Sequence, residues 1–186
     1  MVEIEDFVAQ GSVEPEVLEA YSDRVPTEVV ELWETYGYGA FGFGFVRVIN
    51  PAEYESELGD CIGKTRGDGI AIPIMVTGLA DLITWEPSVG FVAIKYREGA
   101  VGGLSQDLTT FLEGVTLAKA AYLKMVLNWG VFPEAVKAHG EPAYDESFAF
   151  EALPSQGGEV SADNLVKQAT IPAIQAMVEA RGVIKH

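Results

Sequence analysis

"IAIPIMVTGLADLITWEPSVGFVAIKY", Ile70 to Tyr96, contains three β-rich runs, "IAIPIMVT", "DLITWE" and "GFVAIKY", separated by "GLA" and "PSV". Runs of β-branched and apolar residues broken by short turn segments are the signature of an antiparallel meander. Pro73 cannot donate to a strand ladder, so the first run is expected at a sheet edge or at a bulge. The segments on either side place this sheet in its fold class.

Upstream, "SVEPEVLEAYSDRVPTEVVELWETYGYG" reads as two short helices. In the second, Val29, Val30, Leu32, Trp33 and Tyr36 follow the spacing of one apolar face, and Gly37 is placed to end it. Glu28, Glu31 and Glu34 lie three residues apart on the opposite face and form an acidic ridge. "FGFVRVI" reads as a strand, and "NPAEYESELGD" restarts a helix with Asn50 as cap and Pro51 at its first position. Downstream, "SQDLTTFLEGV", "LAKAAYLKMVLN" and "FPEAVKAHG" are helical, with Ser105 the expected cap of the first. "SFAFEAL" is a short strand, and "SADNLVKQATIPAIQAMVEARG" a closing helical segment interrupted near Pro172. Helices, then a sheet, then mostly helices is an α+β order: an antiparallel sheet flanked by helices, with a smaller, mostly helical C-terminal part. A boundary is expected near Asp107, dividing residues 1–106 from 107–186.

The 186 residues carry a formal net charge of -16, unevenly distributed. Residues 1–60 hold 14 acidic and 2 basic side chains, a net of -12, and residues 61–186 hold 14 and 10, a net of -4. Such a field repels nucleic acid and anionic membranes and attracts basic surfaces. Half the residues are apolar, so the chain folds, yet no apolar run approaches a membrane span. The acidic start "MVEIEDFVAQ" lacks the basic and apolar regions of a signal peptide. With a single cysteine, Cys61, the expectation is a cytoplasmic protein.

No catalytic constellation is complete in the sequence, and no cofactor, metal or catalytic residue is expected. "GKT" at Gly63–Thr65 lacks the first glycine of a phosphate loop, because Leu58 stands there. The glycines of "YGYGAFGFGF" follow a helix and lead into a strand, the reverse of a dinucleotide fingerprint. The two histidines, His139 and His186, are too few for an ordinary zinc site. A metal-dependent enzyme built on His139, Asp145 and Glu146 is the weakest reading kept open. The aromatic run is not interleaved with basic residues, as single-strand binders require. Binding of another protein remains.

"VPTEVVELWETYGYGAFGFGFVRVINPAEYESEL" resembles the start of the GAD-like domain family, with its Trp-x-x-Tyr-Gly-x-Gly segment and Asn-Pro-x-Glu-Tyr helix start. Its opening helix also resembles that of the SUKH group of immunity proteins. "FPEAVKAHGEPAYDESFAFEALPSQGGEVSADNLVK" is similar to a small domain that commonly follows the GAD-like one; Asp145, Glu146, Phe148, Phe150, Gly157 and Gly158 match its pattern. The chain departs from that pattern at "EALPSQGG", so a different central turn is expected there. Proteins of this two-part type include immunity proteins that neutralise DNase effectors of type VI secretion systems. The resemblance therefore implies a non-enzymatic inhibitor of a cognate nuclease toxin that is basic at its DNA-binding face.

Candidate toxin contacts are the Glu28, Glu31, Glu34 ridge and the Glu53, Glu55, Glu57, Asp60 cluster for attraction, with Tyr38, Phe41 and Phe43 as anchors. Each carboxylate has the alternative role of a solvated helix face, and each aromatic that of core. Strand alternation puts Phe43 and Phe45 on one core-directed face and leaves Tyr38 and Phe41 exposed. The rival reading is a SUKH-like regulatory or small-ligand-binding module with no toxin partner.

Overall fold

A computed structural model describes residues 2–186. Its framework is a seven-stranded sheet in which every strand pairs antiparallel with the next in sequence. The strands are β1 (Val8–Gly11), β2 (Tyr38–Phe41), β3 (Val46–Val48), β4 (Ile72–Thr77), β5 (Leu82–Glu86), β6 (Gly90–Lys95) and β7 (Ala100–Ser105). The three runs of the quoted stretch become β4, β5 and β6, and the register of β4 against β5 shifts between Pro73 and Met75. Proline is accommodated by a bulge in a central strand, one of the two placements expected for it. The fold is α+β, as expected.

Helices α1 (Pro15–Tyr21) and α2 (Thr27–Tyr36) lie between β1 and β2, and α3 (Pro51–Ile62) connects β3 to β4. After β7 the chain runs through α4 (Leu108–Glu113), a π-helical turn at Gly114–Ala118, α5 (Lys119–Leu127) and α6 (Val131–His139). A two-stranded ribbon, β8 (Glu146–Phe150) with β9 (Leu165–Ala169), and α7 (Thr170–Arg181) follow. Among the described residues no helix is long and apolar enough to cross a membrane.

Several expectations are corrected. β1, β7 and β9 have no apolar pattern to announce them: β1 is "VAQG", fully exposed, and β7 is the glycine-containing "AVGGLS". Backbone pairing at a sheet edge, not side-chain burial, makes them strands. β9 falls where a helix was expected, because "LVKQA" is captured by pairing with β8. α7 is not interrupted by Pro172, which occupies the first turn, where an amide has no intrahelical partner to lose. α4 is capped by Asp107, whose Oδ1 accepts from the Thr110 amide at 2.8 Å; Ser105 is the last residue of β7.

Residues on both sides of Asp107 contribute to one apolar core. Phe45, just before β3, meets Phe132 of α6 with ring centroids 5.0 Å apart, and Phe132 meets Phe148 of β8 at 5.9 Å. Gly78, in the β4–β5 turn, admits that stack, since a Cβ there would lie 2.3 Å from the Phe132 ring. The Gly78 carbonyl accepts from the Phe148 amide at 2.8 Å, so the ribbon is hydrogen-bonded to the meander.

The core also encloses an ion pair. Arg97 donates Nε (3.1 Å) and Nη2 (2.9 Å) to Asp81 Oδ2, and Nη2 also to the Leu127 carbonyl at 2.8 Å. Asp81 is fully buried, and its Oδ1 has no donor among the described residues. Burial pushes its carboxyl up from 3.8 to about 6, with Arg97 opposing. Folding thus takes up a proton at Asp81 above its ordinary range, and this contribution to stability is lost as pH rises through about 6. Arg97→Met leaves the carboxylate buried without its cation and should cost about 3–5 kcal/mol near neutral pH. Urea unfolding should show a larger loss at pH 8 than at pH 5, where the carboxyl can protonate; an equal loss at both would contradict this account.

Candidate protein-binding site

α3 carries the acidic cluster because its two ends and its inner face are fixed. Asn50 Oδ1 accepts from the Ala52 (2.9 Å) and Glu53 (3.3 Å) amides, and Pro51 occupies the first position. Tyr54, Leu58, Cys61 and Ile62 are buried, and α3 packs on β4 and α7. The helical period then turns Glu53, Glu57 and Asp60 to solvent. Glu55 is committed within the chain: its Oε1 meets Arg24 at 2.7 Å, and its Oε2 accepts from the Tyr21 hydroxyl at 2.5 Å. The Arg24 guanidinium also lies 4.5 Å above the Tyr21 ring. Burial, aided by Glu55, pushes the Tyr21 hydroxyl up to about 12. On α2, Glu31 and Glu34 are exposed and Glu28 is half-buried, opposite the buried Val29, Leu32 and Trp33.

The aromatic stretch between these helices is not arranged as expected. Residues 38–41 are a strand, and Gly42, Phe43 and Gly44 form its reversal with φ of 59°, 63° and 72°. Three successive positive φ values break the alternation of sides that the sequence suggested. Phe43 is therefore 53% exposed at the tip of the β2–β3 hairpin, while Phe45 is fully buried. Tyr38 and Phe41, expected outside, are buried in β2. Phe41 is core, and of the three proposed anchors Phe43 alone presents its ring to solvent. Gly39 is what lets β2 lie close to the N-terminal segment, since a Cβ there would lie 2.4 Å from the Phe7 ring.

The structure brings the N-terminal end of α3 against residues of the second half. A cleft of about 390 Å³ is lined by Glu14, Tyr38, Glu53, Tyr54, Tyr144 and Asp145, among others. Its walls are fastened by hydrogen bonds: the Tyr38 hydroxyl donates to Glu14 Oε2 at 2.8 Å, and that of Tyr144 donates to the Val48 carbonyl at 2.5 Å. Burial raises all three tyrosine hydroxyls, and neighbouring carboxylates raise them further. The cleft thus has neutral phenols and acidic side chains, a lining suited to an ammonium or guanidinium group. Nothing local in the sequence marks Tyr144 or Glu14. Asp145 is a motif residue, but its place in the same cleft as Glu53 is a tertiary fact.

The other sequence candidates are occupied within the chain. His139 Nε2 lies 2.9 Å from the Ala162 carbonyl, and Glu146 Oε2 accepts from the Ala143 amide at 3.0 Å. Lys64 of the "GKT" run pairs with buried Glu86, which His186 Nε2 also approaches at 2.9 Å. Among the described residues no three His, Cys, Asp or Glu side chains are grouped to hold a metal.

Replacing Phe41 and Phe43 separates core from surface. Phe41→Ala should lower stability by about 3–5 kcal/mol. Phe43→Asn, at a left-handed position that asparagine tolerates, should change it by about 1 kcal/mol or less. Chemical denaturation of both variants checks the pair.

A model of the GAD-like domain matches residues 1–96. The crystal structure of Atu4351 from Agrobacterium tumefaciens is similar, with a TM-score of 0.72 at 16% identity, over 94% of this chain and 86% of that one. Identity at this level speaks for the fold alone, but the likeness runs well beyond residue 96 into the second half. No curated protein matches the sequence. With the domain match spanning more than half of its length, the chain belongs to the GAD-like domain family.

Proposed function

We propose that this chain is a non-enzymatic immunity protein of the cytoplasm. It binds a cognate DNase toxin of the type VI secretion kind and neutralises it by covering or deforming the DNA-binding and catalytic region. The observation that carries this reading is the acidic, tyrosine-lined cleft between α3 and the second half, next to the exposed Glu53 and Glu57. A nuclease must present cationic side chains to phosphates, and those side chains match this lining. The resemblance of residues 132–167 to the small domain of such immunity proteins supports the same reading. Electrostatic attraction of this sort sets the encounter rate and the choice of partner, and apolar contacts hold the complex.

The test is co-expression with a nuclease-like protein encoded beside this gene, followed by DNA degradation at equimolar ratio. A stable complex and loss of cutting are expected. A complex that still cuts would refute neutralisation, and no complex would favour the small-ligand reading of the cleft. Association should slow steeply between low and physiological ionic strength, as measured by stopped-flow or surface binding. The double variant Glu53→Gln, Asp145→Asn should weaken binding about tenfold or more through loss of close charge pairs.

A further inference from the structure

The tip of the β2–β3 hairpin, at the far end of the hairpin from the acidic cleft, borders a second depression. It has a volume of about 610 Å³, and Phe43, Val115 and Leu117 are among its apolar lining. Glu3, Glu5 and Asp6 also line it, and Lys119 is the one basic side chain among its described lining residues. Leu117 is 76% exposed. It projects from the π-helical turn Gly114–Ala118, and π-turns within helices recur at functional sites. Lys119, which ends that turn, has a φ of 48°, a left-handed value rare for a side chain other than glycine or asparagine.

The tip is held in place before anything binds. Asp6 Oδ2 accepts from the Phe43 amide at 2.9 Å, and the Phe43 ring lies against Trp129 with centroids 5.5 Å apart. A fixed aromatic ring loses little conformational freedom on burial, which is how anchor residues contribute more than their area. Isolated exposed apolar residues are ordinary on protein surfaces, but here two border a single depression with carboxylates around it. Apolar centre and polar rim are the anatomy of a protein-binding site.

We infer that this depression is the apolar anchor site for a basic protein partner, filled by an apolar side chain whose lysine or arginine neighbours meet Glu3 and Glu5. For the identity of that partner the inference rests on the nuclease reading above. Charge decides among occupants. A second copy of a chain with net charge -16 would bring its own acidic rim onto this one, and nucleic acid would be repelled likewise.

The experiment measures binding kinetics of the neighbouring nuclease to the full chain and to three variants: Leu117→Ser, Phe43→Asn, and Glu3→Gln with Glu5→Gln. Leu117 is so exposed that its replacement should leave the thermal midpoint unchanged, which keeps the test clear of unfolding. Each apolar variant should weaken binding about 30-fold, mainly through faster dissociation, as loss of a hot-spot residue does. The glutamine pair should slow association and flatten its salt dependence. If all three bind like the unaltered chain while the cleft variant is weakened, the anchor site is wrong and the nuclease reading stands. Should the unaltered chain fail to bind the nuclease at all, both proposals fall together. Light scattering provides a further check: a dimer that Phe43→Asn converts to monomer would make the occupant a second copy and overturn the inference.

Discussion

Arg47 lies at the centre of β3 and is almost completely buried, yet none of its hydrogen bonds goes to a carboxylate. Its Nη1 donates to the main-chain carbonyls of Glu146 and Tyr144, and to Ser147 Oγ at 3.5 Å. An arginine cannot shed its proton, so the desolvation of this charge, several kcal/mol, has to be offset by the dipoles and charges around it. Burial pulls the guanidinium down, while Tyr54, Tyr144, Asp145 and Glu146 hold it up. The second half of the chain is thereby fixed to the first. Tyr144 returns the connection by donating to the Val48 carbonyl, and Ser147 Oγ donates to the Thr77 carbonyl at 3.1 Å. Removing the guanidinium would take a donor away from the Tyr144 and Glu146 carbonyls.

The same junction creates the cleft. Because Arg47 draws Tyr144 and Glu146 onto β3, Tyr144 and Asp145 come beside Glu53 and Tyr54 at the start of α3. The acidic groups of the first half are therefore not a uniform solvated coat. Glu55 is spent on Arg24 and Tyr21, Glu14 takes the Tyr38 hydroxyl, and Asp6 pins the hairpin tip. Glu3, Glu5, Glu16, Glu19, Asp23, Glu31, Glu34, Glu53, Glu57 and Asp60 are exposed, and these set the negative field around this half of the chain. One charge excess thus both positions local structure and sets a long-range negative field.

How far the sequence could be read depended on whether a residue's role was decided by its neighbours along the chain. β4, β5 and β6 were legible because they are apolar runs between turn residues, and α2 and α3 because their apolar positions keep a helical period. Asn50 and Pro51 marked a helix start by local chemistry alone. β1, β7 and β9 were not legible, since they hold their place by pairing with strands whose alignment is a tertiary fact. The exposure of Phe43 is not legible because "FGFVRVI" reads as one strand from Phe43 onward, whereas Gly42, Phe43 and Gly44 reverse the chain before β3 begins. The cleft was hidden for a different reason. Tyr144 meets Val48 across 96 residues of sequence, and no local pattern encodes that meeting.

The hairpin that carries both surfaces also limits their separation. Tyr38 at the cleft and Phe43 at the tip are five residues apart, and strand geometry caps their Cα distance at about 17 Å. An ordinary interface covers about 800 Å² on each partner, a patch wide enough to include two points at that distance. Gly39 lets the hairpin lie tightly on the N-terminal segment, and Asp6 of that segment fixes the tip. A shift of the segment would therefore disturb the hairpin tip at Phe43 directly. The cleft, tied through Arg47 and Tyr144 to the other end of the hairpin, has separate fastenings. On the proposed reading, two independently fastened surfaces on one short hairpin would offer a partner a charged contact and an apolar one at a fixed spacing, which discriminates among basic proteins better than charge alone.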